Sequence, residues 1–289
     1  MKNMKLQILD ATVNIIGESP LWHPLRNTLY WLDFPNKTLF SYHLQQCVKT
    51  QLDEMATAVA WIDHEHLLLA TVTGLYKYHI ENKNKELIIN IEHDIETNRS
   101  NDGRADPWGG FWVSTMDVDA APHKGAFYRW YKGELRTIVS NLSIPNGVSF
   151  DKHRLRAYFS DSTAQKVYTL KLNEKTGWPE SSPRIFYDFS DSDVSPDGAV
   201  VDTQGNIWIA LWDGSSVVCL SPQGELLYSL DTQTKRPTCP AFGGTKASTL
   251  FVTTASYELA STPVKSVTHG VTLQFTDVHQ GSFEPAVKV

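Results

Sequence analysis

Apolar and polar residues along this chain alternate in short runs separated by turn residues, a spacing that fits strands, and no long amphipathic helical stretch interrupts them. The pattern is plainest in Ser195-Pro196-Asp197-Gly198-Ala199-Val200-Val201, which passes through Asp202-Thr203-Gln204-Gly205-Asn206 into Ile207-Trp208-Ile209-Ala210-Leu211-Trp212. A polar entry, an apolar run, a Gly-Asn turn and a second apolar run predict a β-hairpin whose first strand opens with a carboxylate. The same order recurs from Ile144-Pro145-Asn146-Gly147 to Tyr158-Phe159-Ser160-Asp161, and from Glu18-Ser19-Pro20-Leu21-Trp22 to Tyr30-Trp31-Leu32-Asp33. The unit is repeated, and each of these copies begins with an oxygen-bearing side chain.

Aligned on the second strand of the hairpin, the copies start at Leu29, Leu67, Phe111, Ala157, Ile207 and Leu250 and span the whole chain. Sharing 289 residues among six copies gives about 48 per unit, within the range of four-stranded propeller blades. Third strands follow, as in Gly74-Leu75-Tyr76-Lys77-Tyr78 and Lys166-Val167-Tyr168-Thr169-Leu170, and fourth strands, as in Glu86-Leu87-Ile88-Ile89. The sixth unit ends one strand short after Gly270-Val271-Thr272-Leu273-Gln274-Phe275, and Leu6–Val13 precedes the first unit unpaired. The expected fold is therefore all-β: a single domain over residues 1–289, a six-bladed β-propeller with four antiparallel strands per blade. The N-terminal strand completes the sixth blade and removes a free edge. Two stacked β-sandwiches would leave the sixfold recurrence unexplained, and the Gly-His and Trp-Asp signature of WD repeats is absent.

In a propeller the first strands of all blades run along the axis in one direction, so equivalent register positions form a ring. Counting back eleven or twelve residues from the aromatic of each second strand reaches Glu18, Asn101, Asn146 and Asp197. In the second and sixth units it reaches Ala56 or Thr57 and Cys239 or Pro240, which are poor ligands for hard metals. Two carboxylates and two amides suit Ca²⁺, Mg²⁺ or Mn²⁺ and leave positions for water and substrate; Zn²⁺ also accepts carboxylates. Singly, each of these residues reads as strand-entry turn chemistry. The shared register is what points to a site.

The composition narrows the partners. A hydrophobic content of 41% supports a full core, while the net charge of -6, without a Lys/Arg block, argues against nucleic acid or an anionic membrane surface. A small molecule remains as the expected partner. The basic start Met1-Lys2-Asn3-Met4-Lys5 precedes no apolar run long enough for a signal segment or a bilayer span, so a soluble, cytoplasmic protein is expected. Cys47, Cys219 and Cys239 have neither disulfide-framework nor zinc-site spacing and read as packing or surface thiols. His64 and His66 fall in a turn, and His23 and His93 read as structural or surface residues. Most of the nine tryptophans read as packing between blades, with Trp108 and Trp212 placed near the mouth as an apolar wall. No Gly-x-Ser-x-Gly, phosphate loop, His-Glu-x-x-His or dinucleotide fingerprint occurs.

Several segments in order, Gly17-Glu18-Ser19-Pro20 with Trp22, Asn98-Arg99-Ser100-Asn101-Asp102-Gly103, Trp112-Val113-Ser114-Thr115-Met116, Pro145-Asn146-Gly147, Pro196-Asp197-Gly198 and Phe242-Gly243-Gly244, give the chain an end-to-end resemblance to a known family. It resembles the regucalcin, senescence-marker-protein and gluconolactonase family of six-bladed propellers. That resemblance implies one divalent cation, calcium favoured over Mn, Mg or Zn, held by Glu18, Asn146 and Asp197. It also implies that Arg99 and Asn101 face substrate, that Asp197 acts as base, and that the reaction is hydrolysis of a sugar lactone, a carboxylic ester. The chemistry needed is polarisation of the carbonyl, attack by water and proton removal by a carboxylate. Met116-Asp117-Val118-Asp119 departs from a family pattern that commonly has Glu near this point, which makes Asp119 a candidate substrate contact in a short loop. Trp108-Gly109-Gly110 replaces a more usual basic residue. The competing readings are a calcium-binding protein without enzymatic activity and another metal-dependent ester or phosphoester hydrolase on the same fold.

Overall fold

The computed structural model describes residues 4–259 and 268–289. Its strands form six antiparallel sheets of four. The chain begins with β1 (Lys5–Asp10) and then lays down the first blade as β2 (Gly17–His23), β3 (Thr28–Asp33), β4 (Thr38–His43) and β5 (Gln46–Gln51). The second blade is β6 (Ala56–Trp61), β7 (His66–Thr71), β8 (Gly74–His79) and β9 (Lys85–Asn90). The third is β10 (Asn98–Ala105), β11 (Phe111–Asp117), β12 (Gly125–Tyr131) and β13 (Glu134–Leu142). The fourth is β14 (Pro145–Asp151), β15 (Arg156–Asp161), β16 (Lys166–Lys171) and β17 (Arg184–Asp188). The fifth is β18 (Ser195–Val201), β19 (Ile207–Trp212), β20 (Ser216–Leu220) and β21 (Leu226–Asp231). β22 (Arg236–Gly243), β23 (Thr249–Ala255) and β24 (Thr272–Thr276) make most of the sixth, and β1 completes it by pairing antiparallel with β24, Leu6 opposite Phe275 and Ile8 opposite Leu273. This is the expected six-bladed propeller with its N-terminal closure. Among the described residues no helix is long and apolar enough to cross a membrane.

The core is distributed rather than central. Six buried apolar clusters are present, and each lies between two neighbouring blades. Alternation along one second strand shows why: Leu29 and Trp31 of β3 pack toward the sixth blade beside Phe251, while Tyr30 and Leu32 pack toward the second blade beside Val59 and Leu69. In β19, Trp208 and Ala210 face the sixth blade and Ile207 and Ile209 face the fourth. A strand buried on both faces needs a continuous apolar run, which is what the second strands carry. Trp31, Trp112 and Trp208 are fully buried at these interfaces, and truncating such a side chain to Ala costs about 3–5 kcal/mol.

The polar ends of second strands fasten the chain entering the innermost strand. Asp33 accepts hydrogen bonds from the backbone N–H groups of Ile15 and Ile16, and Asp161 accepts them from Ser143 and Ile144. Each carboxylate thus fixes the approach to β2 or β14 a few residues before Glu18 or Asn146.

Candidate active site

Every innermost strand carries a register shift against its neighbour at the level of the predicted ring, with one residue more on the inner strand than on its partner. Such bulges re-aim side chains. Glu18 and Asn146 are the last paired residues before the shift, opposite Leu32 and Ser160, whereas Asn101 and Asp197 follow the paired Ser100 and Pro196 inside it. Gly147 takes a left-handed φ of 62°, and a Cβ there would come within 2.6 Å of the Asp197 carbonyl oxygen. Gly198 is equally confined, since its Cβ would meet Cys239 Sγ at 2.4 Å. The Asn-Gly and Asp-Gly pairs therefore let the inner strands crowd the axis while the residue before each glycine turns inward.

Hydroxyls lock neighbouring blades at this level. Ser114 Oγ donates to the Pro145 carbonyl at 2.8 Å, Ser162 Oγ to the Pro196 carbonyl at 2.7 Å, and Thr238 Oγ1 to the Gly17 carbonyl at 2.5 Å.

Glu18, Asn101, Asn146 and Asp197 line one cavity of about 540 Å³ at the entry end of the inner strands, together with Arg99. The four ring residues expected from register converge there. Ile16, Phe34, Met116, Ile144, Trp212 and Tyr257 supply apolar wall that the sequence pattern did not reveal, apart from Trp212. Asp119 is exposed on the rim, and the neighbours that line the cavity are Val118 and Ala120. Its backbone N–H donates to Asp117 Oδ1. Trp108 corrects the expected wall: it follows the exit end of β10, so it lies at the opposite face, packed between the third and fourth blades with Nε1 donating to the Glu174 carbonyl.

The cavity floor is acidic. Burial is the main force that drives Glu18 from its ordinary value near 4.5 to about 8, helped by the charge of Asp102 and opposed by a hydrogen bond from the Ser19 N–H. Burial likewise pushes Asp197 well above the usual carboxylate range, with Glu18 and Asp102 adding repulsion. Among the described residues no lysine or arginine forms an ion pair with either. Asn146 is held from both sides, accepting at Oδ1 from Asn101 Nδ2 and donating from Nδ2 to Ser162 Oγ. Two crowded carboxylates beside an amide oxygen that retains a lone pair fit a hard divalent cation, which would relieve the repulsion and favour ionisation. No three His, Cys, Asp or Glu side chains gather into a metal cluster among the described residues, and the further oxygen beside the two carboxylates is that of Asn146.

Arg99 does not make the surface ion pair that its neighbours Glu96 and Asp102 would allow. Its guanidinium lies over Phe34 and donates from Nη1 to the Ser100 carbonyl and to Asn101 Oδ1, and burial lowers its pKa to about 10. Asn101 is a bridge: it accepts from Arg99 and gives its amide hydrogens to the Pro145 carbonyl and Asn146.

Residues 16–256 match a model of the SMP-30/Gluconolactonase/LRE-like region. The chain belongs to this family. The pentonolactonase XacC of Haloferax volcanii is 32% identical over 252 residues, covering 86% of this chain and 84% of that protein. A 6-deoxy-6-sulfogluconolactonase of Pseudomonas putida is 29% identical, with 91% and 92% covered. Among solved structures, a calcium-binding protein, regucalcin, from Agrobacterium tumefaciens superposes with a TM-score of 0.95 at 30% identity, covering 99% of this chain and 98% of the other. The family thus contains lactonases and regucalcins, and the likeness extends across the whole propeller.

Proposed function

We propose that this chain is a divalent-cation-dependent hydrolase that opens the ester of a sugar lactone, with calcium the favoured ion. The observation that carries the reading is the pair of buried carboxylates, Glu18 and Asp197, set beside Asn146 in the cavity with no cationic side chain among the described residues paired to them. The lactonase names of two relatives support the reaction class, and the regucalcin structure supports the cation.

Glu18, Asn146 and Asp197 hold the ion in this reading. When bound, it supplies a Lewis acid for the lactone carbonyl and stabilises charge on its oxygen. Asp197 takes a proton from the attacking water and returns it to the ring oxygen that leaves as the C–O bond breaks. Arg99, desolvated and without a carboxylate partner among the described residues, binds hydroxyls or an acid group of the sugar, while Asn101 holds Arg99 and Asn146 in mutual register. The walls around Phe34 and Trp212 meet the C–H faces of the sugar. Asp119 meets any part of the substrate that extends to the rim.

The test is a panel of aldonic and aldaric lactones followed as acid release, with chelator and with Ca²⁺, Mn²⁺, Mg²⁺ or Zn²⁺ restored. Turnover that disappears with chelator and returns with an ion is expected. Ion binding without turnover of any lactone would move the chain to the calcium-binding reading supported by the regucalcin likeness.

A further inference from the structure

The inner strands that open at the cavity end at the opposite face, and there the axis is crossed by the C-terminal segment after β24. The Gly281 N–H donates to the Ala247 carbonyl of the sixth blade, the Gln280 carbonyl accepts from Thr203 of the fifth, and the Val287 and Lys288 N–H groups donate to Trp61 and Gly109 of the second and third. Val278 and Val287 are buried, and a Cβ on Gly281 would stand 2.0 Å from Phe242. This is a strap fixed at both ends, with little room for a side chain where it passes the ring of Phe242.

Between its anchors the strap lowers one carboxylate into the channel. Glu284 pairs with Arg104, both side chains nearly buried at 10% and 8% exposure, and the Glu284 carbonyl accepts from Trp61 Nε1. Arg104 comes from β10, three residues beyond Asn101, and its Nε donates to the Val148 carbonyl at 3.0 Å. Val148 in turn donates its N–H to Asp102 Oδ2 at 3.1 Å and lies two residues beyond Asn146. The axis therefore carries Glu18 and Asp197 at the cavity, Asp102 and Arg104 below them, and Glu284 at the far end. Arg104 Nη2 also lies 3.7 Å from Cys239 Sγ, which packs against Gly198 directly after Asp197, so the guanidinium stands just below the cavity carboxylates. A buried guanidinium left without its far-end partner would act on Asp102 and the cavity carboxylates above it, and one positive charge near them lowers the attraction for another.

We infer that Glu284, delivered by the C-terminal strap, is a positioning residue for the cation site: it keeps Arg104 paired and neutralised at the far end of the channel, so that the guanidinium does not compete with a divalent cation for Glu18 and Asp197. The inference rests on the cation reading of the cavity, and its test separates the two. Calorimetric titration of the full chain with Ca²⁺ and with Mn²⁺ is paired with melting in chelator. Glu284→Gln keeps the shape of the strap and removes its charge, and it should weaken cation binding on the order of tenfold. Arg104→Gln/Glu284→Gln removes both charges and should return affinity to within about threefold of wild type, although the melting temperature in chelator stays low. A strap that acts only by packing predicts the reverse, with the double variant binding as weakly as the single one or more so. Should Glu284→Gln fail to fold, Arg104→Gln alone decides: affinity at or above wild type supports the role, and a loss overturns it. Wild-type chain that binds neither ion would overturn the cation site and this role with it, whereas wild-type binding with unaltered Glu284→Gln affinity would overturn this role only.

Discussion

The amide nitrogen of Asn101 donates a 2.8 Å hydrogen bond to Oδ1 of Asn146, joining the inner strands of the third and fourth blades at the floor of the cavity. The same Asn101 accepts from Arg99 through its oxygen, so one amide couples the expected cation ligand to the expected substrate-binding cation. Two substitutions separate these functions. Asn101→Ala should weaken cation affinity and lower kcat/KM together, each by about tenfold, the scale of losing a buried hydrogen bond to an oriented group. Arg99→Ala should leave cation affinity near wild type and lower kcat/KM by on the order of 10²-fold, because orientation of the sugar is lost. Calorimetry and steady-state kinetics on the same preparations check both, and unchanged kcat/KM for Arg99→Ala across the lactone panel would remove it from substrate binding.

The pairing of β1 with β24 makes a second prediction. Without residues 1–10, β24 becomes an open edge and the sixth blade loses its outer strand, which leaves a template for pairing with another chain. The truncated protein should melt well below the full chain and self-associate on size-exclusion chromatography. A monomer of unchanged melting temperature would show that closure contributes little.

Much of this architecture is legible in the sequence for a particular physical reason. Residues such as Trp31 and Tyr30 pack against opposite neighbouring blades, so the second strands are apolar on both faces and stand out as continuous runs. The ring follows a fixed count from the second strands because the bulges recur at one level, although Asn101 and Asp197 sit one step further into the bulge than Glu18 and Asn146. Trp108 lies at the far face because β10 crosses the whole channel before reaching it, a crossing that its proximity in sequence to Asn101 hides. Phe34 and Tyr257 belong to loops after second strands, where no repeated spacing marks them. Glu284 left no local signal, since its partner Arg104 is 180 residues away.

His23 predicts an acid limit unrelated to the cavity. It is fully buried against Trp61 and Tyr30, with Nε2 3.0 Å from the Asp63 carbonyl, and burial lowers its pKa from 6.5 to about 4. Between those values the unfolded chain binds a proton that the folded chain does not, so this histidine costs stability as pH falls from about 6.5 toward 4. His23→Gln should have a lower melting temperature at pH 7 but a shallower decline across that window. Parallel slopes for variant and wild type would place the titration elsewhere.

The sharpest test concerns Asp197, to which the proposed mechanism assigns both cation binding and proton transfer. Asn at this position keeps an oxygen ligand and nearly the same shape but cannot accept the proton of the attacking water. Cation binding should persist at raised concentration, and loss of a general base costs about 10²–10⁴-fold in rate. Removing one of two crowded carboxylates also changes the attraction for the ion, since the charge of Glu18 contributes to the raised proton affinity of Asp197. Activities must therefore be compared with the cation site saturated in every variant. Glu18→Gln is the control, because it removes a carboxylate from the same cavity without removing the assigned base. Saturating cation should restore most of the activity of Glu18→Gln and little of that of Asp197→Asn. Equal recovery would make Asp197 a ligand only, and the proton would then have to go to another group of the cavity.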